Sequence, residues 1–88
     1  MKKLLYFYLK ECPHCKRAEE FLEELYAEEP AYREVSIERI EESEQEELAG
    51  RYDYYYVPTF FIGDKKLHEG VPTKEAVRAA LDAALQVQ

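Results

Sequence analysis

The chain lacks tryptophan and is poor in glycine, proline, cysteine and histidine, with three, four, two and two of each. It is also short of basic residues: 12 lysines and arginines face 19 aspartates and glutamates, a net charge of −7. That deficit argues against a nucleic-acid or anionic-membrane partner. Scarce glycine and proline beside 47% hydrophobic residues exclude a disordered chain. No stretch approaches the roughly 18 apolar residues of a membrane span. Repeats, linkers and low-complexity segments are absent as well, so the 88 residues read as one domain, 1–88.

The opening Met1-Lys2-Lys3-Leu4-Leu5-Tyr6-Phe7-Tyr8-Leu9 could pass for the start of an export signal. Its apolar run breaks at Lys10 and Glu11, and no small-residue cleavage site follows. A cytoplasmic location is therefore expected. A permanent structural disulfide is disfavoured there, which turns attention to chemistry for any close cysteine pair.

Leu4 to Leu9 is a compact apolar run suited to a strand buried on both faces. Cys12-Pro13-His14-Cys15 follows at once, with Pro13 placed for the first position of a helix. Ala18, Phe21, Leu22, Leu25 and Tyr26 then keep helical spacing up to Pro30. The sequence predicts a second strand over Tyr32 to Ile37 and a short helix over Ser43 to Gly50. That helix would open on a capping box of Ser43 and Glu46. Thr59 to Ile62 and Lys65 to Glu69 read as strands of a hairpin turning at Gly63-Asp64. Thr73 caps a last helix with Val77, Ala80, Leu81, Ala84 and Leu85 on its inner face. The order is β-α-β-α-β-β-α. The glutamates from Glu19 to Glu47 read as a solvated face that keeps the protein soluble.

A cysteine at a helix start meets unpaired backbone N–H groups and the positive end of the helix dipole. Lys10, His14, Lys16 and Arg17 add positive charge nearby. Such settings lower a thiol from about 8.5 into roughly the 3.5–7.5 range. Cys12 is thus the expected nucleophile, and Cys15, one turn inward, the thiol that resolves its mixed disulfide. A single-chain metal site is disfavoured. A closed zinc site takes four ligands, and His14 would point away from any ion shared by the cysteines.

Lys10-Glu11-Cys12-Pro13-His14-Cys15 after a strand, together with Val57-Pro58-Thr59 before a hairpin and final helix, resembles the glutaredoxin and thioredoxin families. The resemblance implies an α/β thioredoxin-like fold with a four-stranded mixed sheet of order 2-1-3-4 flanked by three helices. It implies a cis Pro58 facing the cysteines and a Val57 whose backbone docks substrate. On it, the expected site is Cys12 and Cys15 as catalytic thiols; Lys10, Pro13 and His14 as tuning residues; and Tyr56, Val57, Pro58 and Thr59 as the substrate groove.

The implied activity is thiol–disulfide exchange on protein disulfides or glutathione mixed disulfides, with an external reductant and a monomeric enzyme. No bound cofactor or metal is called for; glutathione would be a co-substrate. A non-catalytic binding module and a zinc- or iron–sulfur-bridged dimer are the alternatives.

Within the superfamily, size and motif lie nearest glutaredoxins. His14 stands where their usual motif has tyrosine, and Lys10 matches a lysine that binds a glutathione carboxylate. Their Gly-Gly and aspartate before the last helix are missing, since this chain reads His68-Glu69-Gly70-Val71-Pro72-Thr73. The Trp-Cys-Gly-Pro-Cys of thioredoxins is absent too. Pro13-His14 resembles the dipeptide of periplasmic oxidases, where a histidine can stabilise the thiolate. Tyr52, Tyr54, Tyr55 and Tyr56 form either an aromatic rim for an extended substrate or an ordinary mixture of packed and surface rings.

Overall fold

A computed structural model of the chain describes residues 3–86. The elements are β1 (Leu4–Tyr8), α1 (Pro13–Glu28), a 3-10 turn at Pro30–Glu34, β2 (Ile37–Glu41), α2 (Glu46–Ala49), β3 (Thr59–Ile62), β4 (Lys65–Glu69) and α3 (Lys74–Gln86). The sheet runs in the order β2-β1-β3-β4, with β1 parallel to β2 and antiparallel to β3, and β3 antiparallel to β4. This is the thioredoxin-like topology expected from the motifs.

Alternation along β1 decides the layering. Leu4 and Tyr6 face Ala18, Leu22 and Leu25 of α1 and Val77, Ala80, Leu81 and Ala84 of α3. Phe7 points the other way, into a smaller cluster with Ile40, Phe61 and Ala49 of α2. Leu4, Tyr6 and Phe7 are fully buried, and each of the four residues of β3 is buried, as central strands covered on both faces require. In α3, Thr73 Oγ1 accepts the Ala76 N–H at 3.0 Å, so the predicted cap is formed. The β3–β4 hairpin turns at Gly63, whose φ of 58° is a left-handed conformation that favours glycine.

Two sequence expectations need correction. The second strand is Ile37–Glu41, not Tyr32 to Ile37. Tyr32 and Val35 are buried, but from the 3-10 turn and the residue after it, where they seal the end of the α1–α3 layer. The periodicity therefore reported burial correctly and extended backbone wrongly. The Ser43–Glu46 capping box is also absent. Helix α2 begins at Glu46 behind Gln45, which makes no side-chain cap bond, and the Ser43 hydroxyl donates to Glu41 instead.

Candidate functional site: a cysteine pair at a helix start

Strand β1 ends at Tyr8 and the chain turns into α1 with Cys12 at the N-cap. Extended backbone at Cys12 (φ −86°, ψ 116°) turns its side chain over the first helical turn, and Sγ accepts the Cys15 N–H at 3.3 Å. Pro13 follows at the helix start, where no N–H is needed. A sulfur thus occupies the place of a capping oxygen and takes one of the N–H groups left unpaired at the helix start.

The two thiols, both free, sit in different surroundings. Cys12 is partly exposed, whereas Cys15 is only 3% exposed. Burial pushes the Cys15 thiol up to about 12, against a smaller opposing pull from the Leu9 N–H. Cys15 lines a cavity of about 210 Å³ with Tyr6, Tyr8, Leu9, Lys10, Lys16 and Glu19. On the other side of the pair, the Val57 carbonyl oxygen lies 4.0 Å from Cys12 Sγ, and the Val57–Pro58 peptide is cis. Among the described residues, no backbone hydrogen bond engages the Val57 N–H or C=O. The carbonyl meets only the Cys12 thiol, and neither group is taken up by the sheet.

Two carboxylates that the sequence did not point to hold these loops. Glu41, at the end of β2, is buried and accepts the Lys10 N–H at 3.1 Å and the Ser43 N–H and hydroxyl at 2.7 and 2.6 Å. Its bond from the Ser43 hydroxyl, then those from the Lys10 and Ser43 amides, keep the carboxyl below its usual range despite burial. Glu41 thereby ties the turn that carries Cys12 to the end of β2. Glu69, at the end of β4, accepts the N–H groups of Tyr55 and Tyr56 and an ion pair from Lys66, which together hold its carboxyl down to about 2. Beside it Gly70, with a left-handed φ of 93°, donates its N–H to the Pro58 carbonyl at 2.9 Å. The loop before Pro58 is therefore fastened from two adjacent residues of one strand end.

The remaining candidates divide. Lys10 is exposed, and its ammonium is paired with Glu44. His14 is exposed on the helix start. Tyr52 and Tyr54 pack on Phe7 with ring centroids 4.9 Å away, and Tyr54 donates to Glu42 at 2.7 Å. Tyr55 and Tyr56 are 85% and 70% exposed, so half of the tyrosine cluster is core and half is surface. Thr59 is fully buried and its hydroxyl is bonded to the Tyr56 carbonyl, so its side chain steadies the loop rather than facing the groove. No group of three or more His, Cys, Asp or Glu among the described residues is placed to hold a metal ion.

Sequence spacing singled out the cysteines, and the family resemblance singled out Val57 and Pro58. Both missed Glu41, Glu69 and Tyr6, whose hydroxyl donates to the Cys15 carbonyl at 3.0 Å. For Tyr6 a signal existed: a hydroxyl inside an apolar run must find a partner when buried.

Comparison with known proteins points the same way. The family profile described as glutaredoxin matches residues 4–67. A thioredoxin of Methanocaldococcus jannaschii is 36% identical over 74 residues, covering 84% of this chain and 85% of that protein. Among solved structures, a malarial protein superposes with a TM-score of 0.70 at 18% identity, over 97% of this chain and 98% of that one. The germline-specific thioredoxin Deadhead of Drosophila melanogaster gives 0.67 at 20% identity, over 93% and 79%. A thioredoxin-like protein of Clostridium perfringens gives 0.66 at 25% identity, over 96% and 71%.

Proposed function

Since the chain belongs to the glutaredoxin family of the thioredoxin superfamily, we propose that it is a dithiol thiol–disulfide oxidoreductase acting mainly on protein disulfides. Cys12 attacks one sulfur of the substrate disulfide and releases the other as a thiolate. Cys15 then attacks Cys12 Sγ, frees the second substrate thiol and leaves a Cys12–Cys15 disulfide. An external dithiol or glutathione returns the two electrons. The enzyme works as a monomer in the cytoplasm and needs no resident cofactor.

The observation that carries this reading is the asymmetry of the pair. One sulfur caps a helix beside an open backbone edge, and the other is buried one turn behind it. A substrate strand laid against the Val57 N–H and C=O would bring its disulfide to Cys12, as strand addition does elsewhere. Exposed Tyr55, Tyr56 and Val71 offer apolar surface around that edge.

Protein disulfides are favoured over glutathione by where the charges are spent. Lys10 is paired with Glu44, and the Glu69 carboxylate is occupied by two amides and Lys66. Glu69 is thus committed to its own loop, and the exposed Lys10–Glu44 pair competes with an end of the tripeptide for the Lys10 ammonium.

The test compares wild type, Cys12→Ser and Cys15→Ser in reduction of an insulin-like protein disulfide and of a glutathione mixed disulfide. Loss of both activities in Cys12→Ser, and of protein reduction in Cys15→Ser, is expected. Wild type inactive in both assays, folded and with both thiols free, would falsify the proposal. It would leave a binding module in its place; a coloured, iron-containing dimer from anaerobic purification would replace it with a cluster protein.

A further inference from the structure

The two-step reaction leaves one difficulty at its second step. Cys15 must become a nucleophile in a place where burial holds its proton tightly. The thiolate, not the thiol, attacks. Something inside the fold has to receive the charge as it forms, and Cys12 cannot do so once it is part of the mixed disulfide.

Tyr6 is the group in position. It stands on β1, stacked between Tyr8 and Phe60 with ring centroids 5.3 and 5.0 Å away, so its ring has no freedom to swing. Its hydroxyl reaches over the first turn of α1 to the Cys15 carbonyl at 3.0 Å, and it lines the same cavity as the Cys15 thiol. The hydroxyl is thus held on the backbone of the very residue that carries the resolving sulfur.

We propose that the Tyr6 hydroxyl is the hydrogen-bond donor to the Cys15 thiolate during resolution. It turns its proton from the Cys15 carbonyl to Sγ as charge develops there. The step balances simply. Cys15 gives its proton to solvent and attacks Cys12 Sγ. The bond from Cys12 to the substrate sulfur breaks, and the departing thiolate takes a proton from solvent. Tyr6 itself neither gains nor loses one. Burial raises Tyr6 well above a free phenol, which keeps the hydroxyl a donor throughout the working range.

Cys12 at the helix cap, Lys16 and Glu19 of α1, Arg39 of β2, Tyr8 at the end of β1 and Lys10 in the turn after it are the titratable and charged groups facing this hydroxyl and thiol. Glu19 is a carboxylate acceptor, and Arg39 donates to it through two bonds of 3.0 and 2.9 Å, so the guanidinium is spent there.

This inference rests on the dithiol reaction proposed above, and one experiment separates the two. Mixing reduced protein with excess dithiobis(nitrobenzoate) releases a yellow thiolate twice. The first release is the attack by Cys12, dependent on reagent concentration. The second is the attack by Cys15, independent of it. Tyr6→Phe keeps the ring stack and removes the donor.

The expected result is an unchanged first phase and a second phase slower by about 10-fold, with its pH dependence displaced to higher pH. A thermal melt establishes that the variant is folded. A second phase equal to wild type in rate and pH dependence overturns the role of Tyr6, as does equal slowing of both phases. Absence of a second phase in wild type overturns the dithiol reading itself.

Discussion

Iodoacetamide added to the reduced, native protein is expected to modify Cys12 and leave Cys15 untouched. The magnitude follows from ionisation. Cys15 is pushed up to about 12 by burial. At about pH 7.5 its thiolate fraction is then about one in thirty thousand, against roughly one in ten for a free thiol. Ionisation alone slows its alkylation about 3,000-fold, and a sulfur that is only 3% exposed is also poorly reached. Mass spectrometry should therefore show a single adduct, mapped to Cys12, over times that label a free thiol completely. In urea both cysteines should react.

The same shift sets an alkaline limit on stability. The fold favours the neutral thiol, so its contribution is fully present below the unfolded value of about 8.5 and is lost as pH rises from there toward 12. Urea midpoints should fall over that range, and less so in Cys15→Ala. Two adducts forming at similar rates on the folded protein at neutral pH would refute the reasoning and the division of labour built on it.

Phe7→Ala should cost about 3–5 kcal/mol in urea unfolding, because it empties the centre of the α2-side cluster. That is much of the stability expected for a domain of this size. Glu69→Gln should raise KM for a protein disulfide by roughly fivefold with kcat little changed, since it loosens the Tyr55–Tyr56 loop and not the thiols. Glu69 is held at about 2, so its support persists above the ordinary carboxylate range and is lost only as pH falls through about 2; wild-type KM should be insensitive to it at neutral pH. Glu44→Gln should free Lys10 and raise the rate with oxidised glutathione about two- to threefold at low salt. The gain should disappear near 1 M salt, where screening is nearly complete.

Elements whose signal is local were legible in the sequence. Cys12-Pro13 marks a helix start, Gly63-Asp64 a tight hairpin and Thr73 a cap, and each needs only its neighbours to act. Strand β2 was not legible, because it is an edge strand and its residues read Ile37-Glu38-Arg39-Ile40-Glu41. Its charges are answered from elsewhere: Arg39 by Glu19 on α1, and Glu41 by the turn carrying Lys10. Val35 and Ile37, with Ser36 between them, offered a cleaner alternating pattern and drew the strand a few residues too early. The capping box failed for a local reason: the Ser43 hydroxyl donates to Glu41 two residues back, and the helix starts behind Gln45 instead. The Arg39–Glu19 and Lys10–Glu41 contacts, 20 and 31 positions apart, leave no mark on local spacing.

A chain of net charge −7 is an unlikely host for a reactive thiolate unless the acids near it are neutralised or turned away. Around this site most are engaged, with Glu11 beside Cys12 the exception. Glu41 is held by two amides and a hydroxyl, Glu42 by Tyr54, Glu44 by Lys10, and Glu69 by two amides and Lys66. The same bonds fix the loops that bring Cys12 beside Val57. Local neutralisation and loop geometry are thus one set of interactions. The acids left over, mainly on the helices, set the long-range field. That field opposes an approaching anionic disulfide such as oxidised glutathione and leaves a neutral or basic polypeptide unhindered. The substrate preference proposed from the occupied side chains is the one the whole-chain charge favours as well.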